Sequence, residues 1–396
     1  MPPVVGPLAP AHLGWALELL SRVFGQPPQP DDVDVELALV DPTRFYGAYD
    51  GDRLVGTAGS FALRMAVPGS VLPVAGVTWV AVEQTVRRQG VLRSFMAHQL
   101  ADLHDAGTAV AALWASQGAI YQRYGYGAAA WHLSVTVPTG SAFRRPVGSG
   151  GLRLVTPTAA TLAPVYDPVA ARTPGWAARD APWWDMRLHD PAASRAGATP
   201  LLCVVTDGGY ALHSLTSRWA DGVPSGLVTV RELVAADEGA RERLWRYLLD
   251  LSLMGEVTYR SVPVDDPLLH LLAEPRLVHA KQSESLYVRL VDVPAALAAR
   301  TYAADVEVVL EVRDPQCQWN ARRWRLSGGR SGATCVPCDG PADLVLDVGD
   351  LGAAYLGGTT LTSRRATVRE HSPGALARAS TAFGPVEVAP WCPMVF

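Results

Sequence analysis

The hydrophobic pattern changes period several times along the chain. Residues 12–24 place Leu13, Ala16, Leu17, Leu20 and Phe24 on one side of a 3.6-residue repeat, which predicts an amphipathic helix. A stretch rich in Pro and Asp, residues 26–35, interrupts that repeat and reads as a loop. Extended runs follow at 45–49 and 54–67, separated by the turn signal Asp50-Gly51, and Pro68-Gly69 turns the chain again into a third run at 76–82. Beyond Gly90 the helical period returns, with Leu92, Phe95, Met96, Leu100 and Leu103 in line and Gly107 as a stop. Residues 109–115 are nearly all apolar, as a strand covered on both faces requires. A short helix at 118–124 and a last strand at 129–137 are expected to complete a compact first unit.

The Gly-, Ser- and Pro-rich residues 139–151 read as a linker. After it, the strongest signal is a helix at 238–254, with Leu244, Trp245, Leu248, Leu249 and Leu251 as its apolar stripe. A final unit shows strands at 306–312, 324–326 and 344–348 and helical stretches at 351–355 and 373–383. The expected organisation is three mixed α/β (α+β) units, residues 1–138, 139–290 and 291–396.

Composition narrows the function classes. At 49% hydrophobic and 18% charged residues the chain can bury a sizeable core, and a net charge of −4 provides no polybasic footprint for nucleic acid. No apolar run of about eighteen residues predicts a transmembrane helix. The first twenty residues, broken by Pro2, Pro3, Pro7 and Pro10, do not read as a signal peptide, so a cytoplasmic protein is expected. Five cysteines fit free thiols in a reducing compartment. The pair Cys335-Val-Pro-Cys338 has metal-ligand spacing but no second Cys/His pair to complete a zinc site, so no metal is expected and a strand edge carrying two thiols is the preferred reading.

The stretch with chemical content is Val80-Ala81-Val82-Glu-Gln-Thr-Val-Arg87-Arg88-Gln89-Gly90-Val91-Leu92-Arg93. An extended run ends, a turn with arginines and a glycine follows, and an amphipathic helix begins. Such a turn aims backbone N–H groups and the helix dipole at one point, which suits a pyrophosphate; a solvated basic helix start is the alternative. About twenty-five residues later comes Trp114-Ala-Ser116-Gln117-Gly-Ala-Ile-Tyr121-Gln-Arg-Tyr124-Gly125-Tyr126-Gly127.

Strand, R-x-x-G turn, helix, strand and Tyr-x-x-x-Gly-aromatic together resemble the GNAT acetyltransferases, and the whole chain resembles their Eis (enhanced intracellular survival) branch. Further shared landmarks are Arg172-Thr-Pro-Gly175, Asp265-Asp-Pro267, Val288-Arg-Leu-Val-Asp-Val-Pro294, Tyr355-Leu-Gly-Gly358 and the terminal Pro390-Trp-Cys-Pro-Met-Val-Phe396. The resemblance implies two tandem GNAT-type mixed sheets with flanking helices, a C-terminal domain like a sterol carrier protein, and a homohexamer. It also implies acetyl-CoA as co-substrate and a small polar or cationic primary amine as acceptor, of aminoglycoside, polyamine or lysine type. Carried over residue by residue, the acetyl-CoA site falls on Val80, Ala81, Val82, Arg87, Arg88, Gln89, Gly90, Val91, Leu92, Arg93, Ser116 and Gln117. Gln117 stands where the family usually has a glutamate, which removes a negative charge beside the acetyl end.

On the same resemblance Tyr121 is the proton donor and the C-terminal carboxylate of Phe396 the proton acceptor. A tyrosine of reference pKa ~10 can protonate a departing thiolate, whereas a carboxylate of ~3.5 needs partial desolvation, or a bridging water, to serve as base. The alternative for Phe396 is a frayed, functionless end. Trp79 either lines the acceptor pocket or is core, and Asp31, Asp32 and Asp34 either attract a cationic amine or form an ordinary charged loop. In residues 152–290 no R-x-x-G turn opens the predicted helix as Arg87–Gly90 does in the first unit, so the second fold is expected to be inert. The rival to the enzyme is a lipid- or acyl-CoA-binding scaffold built on inert GNAT folds.

Overall fold

The computed structural model describes residues 3–26, 30–148 and 150–396. In the first part of the chain β1 (Val4–Pro7) leads into α1 (Leu13–Phe24) and α2 (Pro30–Leu37). Next come β2 (Phe45–Asp50), β3 (Arg53–Val67) and β4 (Ser70–Val82), then α3 (Val91–Asp105), β5 (Val110–Trp114), α4 (Gly118–Gln122) and β6 (Gly127–Ala128). Most of these elements fall where the periodicity predicts them.

Two expectations are corrected here. Of the loop expected at 26–35, residues 27–29 lie outside the described residues, and from Pro30 the chain is helical, so Asp31 and Asp32 occupy the first turn of α2. Proline at a helix start is pre-set for helical φ, and first-turn carboxylates favour the positive end of the dipole. The strand expected at 129–137 is β7 (Trp131–Pro138), but it does not close the first sheet. It pairs antiparallel with β14 (Met254–Pro263) and β15 (His279–Glu284), and β16 (Leu286–Leu290) takes its place between β5 and β6. Each sheet thus contains a strand from the other half of the chain. The first has the order β1-β2-β3-β4-β5-β16-β6.

The second sheet also has seven strands. It adds β8 (Arg153–Val155), β9 (Leu202–Thr206), β10 (Gly209–Thr216) and β13 (Gly226–Ala235), in the order β15-β7-β14-β13-β10-β9-β8. A small hairpin, β11 (Trp219–Ala220) and β12 (Val223–Pro224), stands apart from it. Its helices are α5 (Ala159–Arg172), α6 (Ala181–Leu188), α7 (Glu238–Leu249) and the short α8 (Leu268–Leu271). The helix predicted to reach residue 254 therefore stops at Leu249, because Leu253 adopts a left-handed φ of 67° and Met254 opens β14. The last part comprises α9 (Val293–Ala298), β17 (Val306–Arg313), β18 (Arg323–Gly329), β19 (Gly332–Pro337), β20 (Leu344–Asp347), α10 (Val348–Ala354), β21 (Arg369–Glu370) and α11 (Ala375–Phe383). Its strands form one sheet, β19-β18-β17-β20-β21. Among the described residues, no helix is long and apolar enough to cross a membrane.

Side chains of the first sheet alternate between two apolar clusters, as the period of two demands. Tyr46, Ala75, Val77, Ala111 and Leu113 meet Val91, Phe95 and Met96 of α3 on one face. Phe45, Phe61, Val74, Val110 and Ala112 face α1 and the C-terminal domain on the other.

Candidate active site

The central feature is a gap in the first sheet. Strands β4 and β5 run parallel but pair only at Val74–Val110, Ala75–Ala111 and Gly76–Ala112. Beyond Gly76 they are not paired, so residues 77–82 present a free backbone edge toward the end of β5. The other edge of β4 carries a bulge. Thr57 faces Ala81 and Gly59 faces Thr78, leaving Trp79 and Val80 opposite Ala58 alone. Trp79 there has φ 53°, an uncommon conformation for a bulky side chain and one that goes with the bulge.

At the far end of β4, Arg88 (φ 64°) and Gly90 (φ 84°) both take the left-handed conformation immediately before α3. Alternating backbone conformations of this kind turn successive N–H groups inward as an anion-binding nest. Gly90 is the N-cap of α3 and no side chain caps it, so the orphan donors of the first turn stay available. Arg87, Arg88 and Arg93 are exposed around this turn, and none is in an ion pair among the described residues. Gln89 is exposed, Val91 is buried in the core and Leu92 is half-buried against it. Ser116 and Gln117 are exposed just past β5, and Gln117 is the N-cap of α4. The turn and the gap thus lie at the same end of the sheet.

Tyr121 and Phe396 sit on opposite faces of this sheet. Tyr121, on α4, is buried in the cluster that includes Val77, Val86 and Leu113, with its ring 6.0 Å from that of Tyr126. Burial first, and Tyr124 second, push its hydroxyl up to about 12, above the reference value used in the sequence argument. Phe396 packs on the other cluster, where a Cβ on Gly76 would come within 3.1 Å of its ring. The chain terminus therefore lies where β4 and β5 part.

Phe396 also lines a cavity of about 510 Å³. Trp79, Thr78 and Phe61 form its floor, α1 and α2 one wall, and Trp183 and Met186 of α6 the other. Trp79 meets Phe45 edge-on at 5.1 Å, so it both packs in the core and lines this cavity. Asp32 faces the cavity; Asp31 is exposed and does not. His189 Nε2 lies 2.9 Å from Asp32 Oδ1, tying α2 to the residue that follows α6.

Sequence reasoning missed several residues that complete the site. Glu36, one turn after Asp32, also lines the cavity, and burial together with the Asp32 charge raises its carboxyl above the ordinary value. Its place in the same acidic stretch was a usable signal. Trp183 and Met186 carried none, since they come from the second fold and reach the site only through the packing of α6.

With this geometry in view, comparison with known proteins decides the family. Models described as an acetyltransferase (GNAT) domain match residues 6–129 and again 175–290, and a sterol carrier protein domain matches 293–393. An uncharacterized N-acetyltransferase of Streptomyces avermitilis is 42% identical over 398 residues, covering 96% of this chain and 97% of the relative. N-acetyltransferase Eis of Mycobacterium tuberculosis is 37% identical over 324 residues, 78% of each chain. The chain belongs to the Eis family of GNAT N-acetyltransferases. The crystal structure of Eis1 from Mycobacterium abscessus is superimposable with a TM-score of 0.87 at 32% identity, over 99% of this chain and 100% of that one. As an Eis-family N-acetyltransferase, the chain has two tandem GNAT folds and a sterol-carrier-like domain.

Proposed function

We propose that the protein transfers the acetyl group of acetyl-CoA to a primary amine of a small polar or cationic molecule, of aminoglycoside, polyamine or lysine type. The observation that carries this reading is the gap between β4 and β5 with the chain terminus at its mouth. An extended pantetheine arm fits a strand edge left unpaired at Val80–Val82, and its pyrophosphate fits the uncapped turn at Arg87–Gly90.

The chemistry follows from the two faces of the sheet. The amine nitrogen attacks the thioester carbonyl carbon from the cavity side, and its proton passes to the Phe396 carboxylate. The carbon–sulfur bond breaks, and the thiolate takes a proton from Tyr121. A tyrosine held near 12 remains protonated at neutral pH, and the same desolvation raises the thiol, so the donor keeps a usable match. The edge of β4 left unpaired beyond Gly76 offers backbone N–H groups to stabilise charge on the carbonyl oxygen. Asp32 and Glu36 give the cavity a negative wall among aromatic ones, which suits an ammonium group. We further propose a cytoplasmic homohexamer with a catalytic unit at 1–138, a second GNAT-like unit at 139–290 and a sterol-carrier-like unit at 291–396, the first two exchanging the strands β7 and β16. Light scattering tests the oligomeric state.

The deciding experiment is a thiol-release assay with acetyl-CoA and a panel of amines. Turnover with cationic primary amines and none with neutral alcohols is expected. Tight acyl-CoA binding without turnover of any amine would favour the scaffold reading instead.

A further inference from the structure

Three of the landmark segments shared with the family, Arg172-Thr-Pro-Gly175, Asp265-Asp-Pro267 and Tyr355-Leu-Gly-Gly358, line no part of the acceptor cavity. They lie far apart in sequence, yet all three meet on residues 389–391. The Ala389 N–H donates to Asp265 Oδ2 at 2.7 Å. The Trp391 N–H donates to the Pro174 carbonyl at 3.2 Å. Gly175 has φ 95°, and a Cβ there would stand 2.7 Å from the Trp391 carbonyl oxygen. Gly358 is equally confined, since a Cβ would come within 2.5 Å of the Ala129 carbonyl oxygen and 2.8 Å of the Pro390 ring. Both glycines are sites where backbone must approach backbone more closely than any side chain allows.

From there the tail is fixed almost to its end. The Trp391 indole is buried edge-on against Trp176 at 5.1 Å, in a cluster with Tyr166, Trp184 and Tyr210. The Met394 carbonyl accepts two hydrogen bonds, from Trp114 Nε1–H at 2.8 Å and from the Cys392 thiol at 3.1 Å. Trp114 is the last residue of β5, beside the gap, and Met394 is two residues from the terminus. Residues 390–394 are all buried, Val395 is 69% exposed, and Phe396 beyond it is half-buried again against the core. A frayed end would not turn back into the protein at its last residue.

We propose that these contacts form a clamp that sets the register of the terminal carboxylate, with Gly175, Asp265 and Gly358 as its distal grip and Trp114 as its proximal positioning residue. One extended residue spans ~3.3–3.6 Å, so a slip of one residue carries the carboxylate beyond hydrogen-bonding reach of an amine in the cavity. The inference rests on the reading of Phe396 as proton acceptor. It assigns the second fold a role in the reaction, since Gly175 and Asp265 belong to the second half of the molecule.

A mutant cycle tests it. Trp114→Phe removes one N–H and keeps an aromatic ring; it should lower kcat ~10-fold or more, as a small misplacement of a reacting group does, with acetyl-CoA affinity and melting temperature unchanged. In a protein lacking Phe396, Trp114→Phe should have no further effect on the residual rate. The acid limb of the pH–rate profile should move in Trp114→Phe, a change that a purely structural contact would not produce. Equal losses in both backgrounds, or an unchanged kcat in the intact chain, would overturn the clamp while leaving the base assignment standing. Full activity after deletion of Phe396 would instead overturn the base assignment itself. Gly175→Ala should reproduce the Trp114→Phe phenotype from the distal end if it folds, and a folded Gly175→Ala protein of normal kcat would remove that glycine from the clamp.

Discussion

The two GNAT folds of this chain repeat the same local order, strand, helix, parallel strand, and differ where a ligand would enter. In the first fold β4 and β5 pair at three positions and then part. In the second the equivalent strands β13 and β14 pair from Gly226 with Met254 to Val230 with Tyr259 and then part as well, but the edge beyond is met from within: the Leu233 N–H donates to the Tyr259 hydroxyl at 3.2 Å. The turns before the following helices differ in the same sense. The first runs through Arg87–Gly90 and leaves α3 without a side-chain cap. The second is closed by Asp237, whose Oδ1 accepts from the Ala240 N–H at 2.8 Å, with Glu238 in the first turn. A carboxylate already occupies the place a phosphate would need, and its charge repels one. The interior of the second fold is filled by its own ions: Glu232 is fully buried between Arg179 and Arg187 and accepts from the Tyr210 hydroxyl. One architecture thus leaves a bare strand edge and a bare helix start in the first fold, and satisfies both from within in the second.

The sharpest way to break this comparison is at the terminus, which belongs to the first fold's gap alone. Deleting Phe396, or extending the chain with a C-terminal hexahistidine tag, should lower kcat by ~10³-fold, to a small residual rate, while acetyl-CoA binding and oligomeric state survive. Phe396→Ala retains a carboxylate at the same chain position and should keep part of the rate. Full activity in the tagged protein would send the search for a base to Asp32 and Glu36. Next in size is Tyr121→Phe, which should lower kcat by ~10²-fold with little change in acetyl-CoA affinity. Tyr124→Phe and Tyr126→Phe are its controls, and equal turnover of all three would show that Tyr121 is misassigned. Because the hydroxyl is pushed up to about 12, ionisation of Tyr121 should produce no loss of kcat between pH 7 and 10.

Much of the first fold's site was legible because its signals are contiguous. The turn from Val80 to Arg93 combines the end of a strand, a glycine and a helix start in one stretch, and the structure gives it the two left-handed residues such a turn requires. The resemblance likewise pointed to an inserted terminus, and residues 390–394 are buried. What the sequence hid is non-local. Leu286–Leu290 reads as a buried strand in any sheet, and only the assembled molecule decides that it lies between β5 and β6. The helical start at Pro30 was obscured by a run of acids that also resembles a loop. Trp183 lines the cavity because α6 packs there, and nothing local to residue 183 announces it.

A smaller effect is expected at the pyrophosphate turn. Arg88→Ala should weaken acetyl-CoA binding by about tenfold, the loss of one charge-assisted contact of about 1.5 kcal/mol, with folding intact. Calorimetry giving unchanged affinity in both Arg88→Ala and Gly90→Asp would move the cofactor elsewhere.

The smallest change tests the second fold directly. Asp237 caps α7, which buries Leu244, Trp245, Leu248 and Leu249 in the core of its domain. Asp237→Ala should therefore cost about 1 kcal/mol of stability, read as a lower melting temperature, with kcat unchanged. It also strips the helix start of the carboxylate that mimics a bound anion. If the bare strand edge and the bare helix start are both needed, the variant should still bind one acetyl-CoA per chain, because the Tyr259 hydroxyl still meets the β13 edge at Leu233. Calorimetry showing a second equivalent bound would mean that charge at the turn alone separates the two folds.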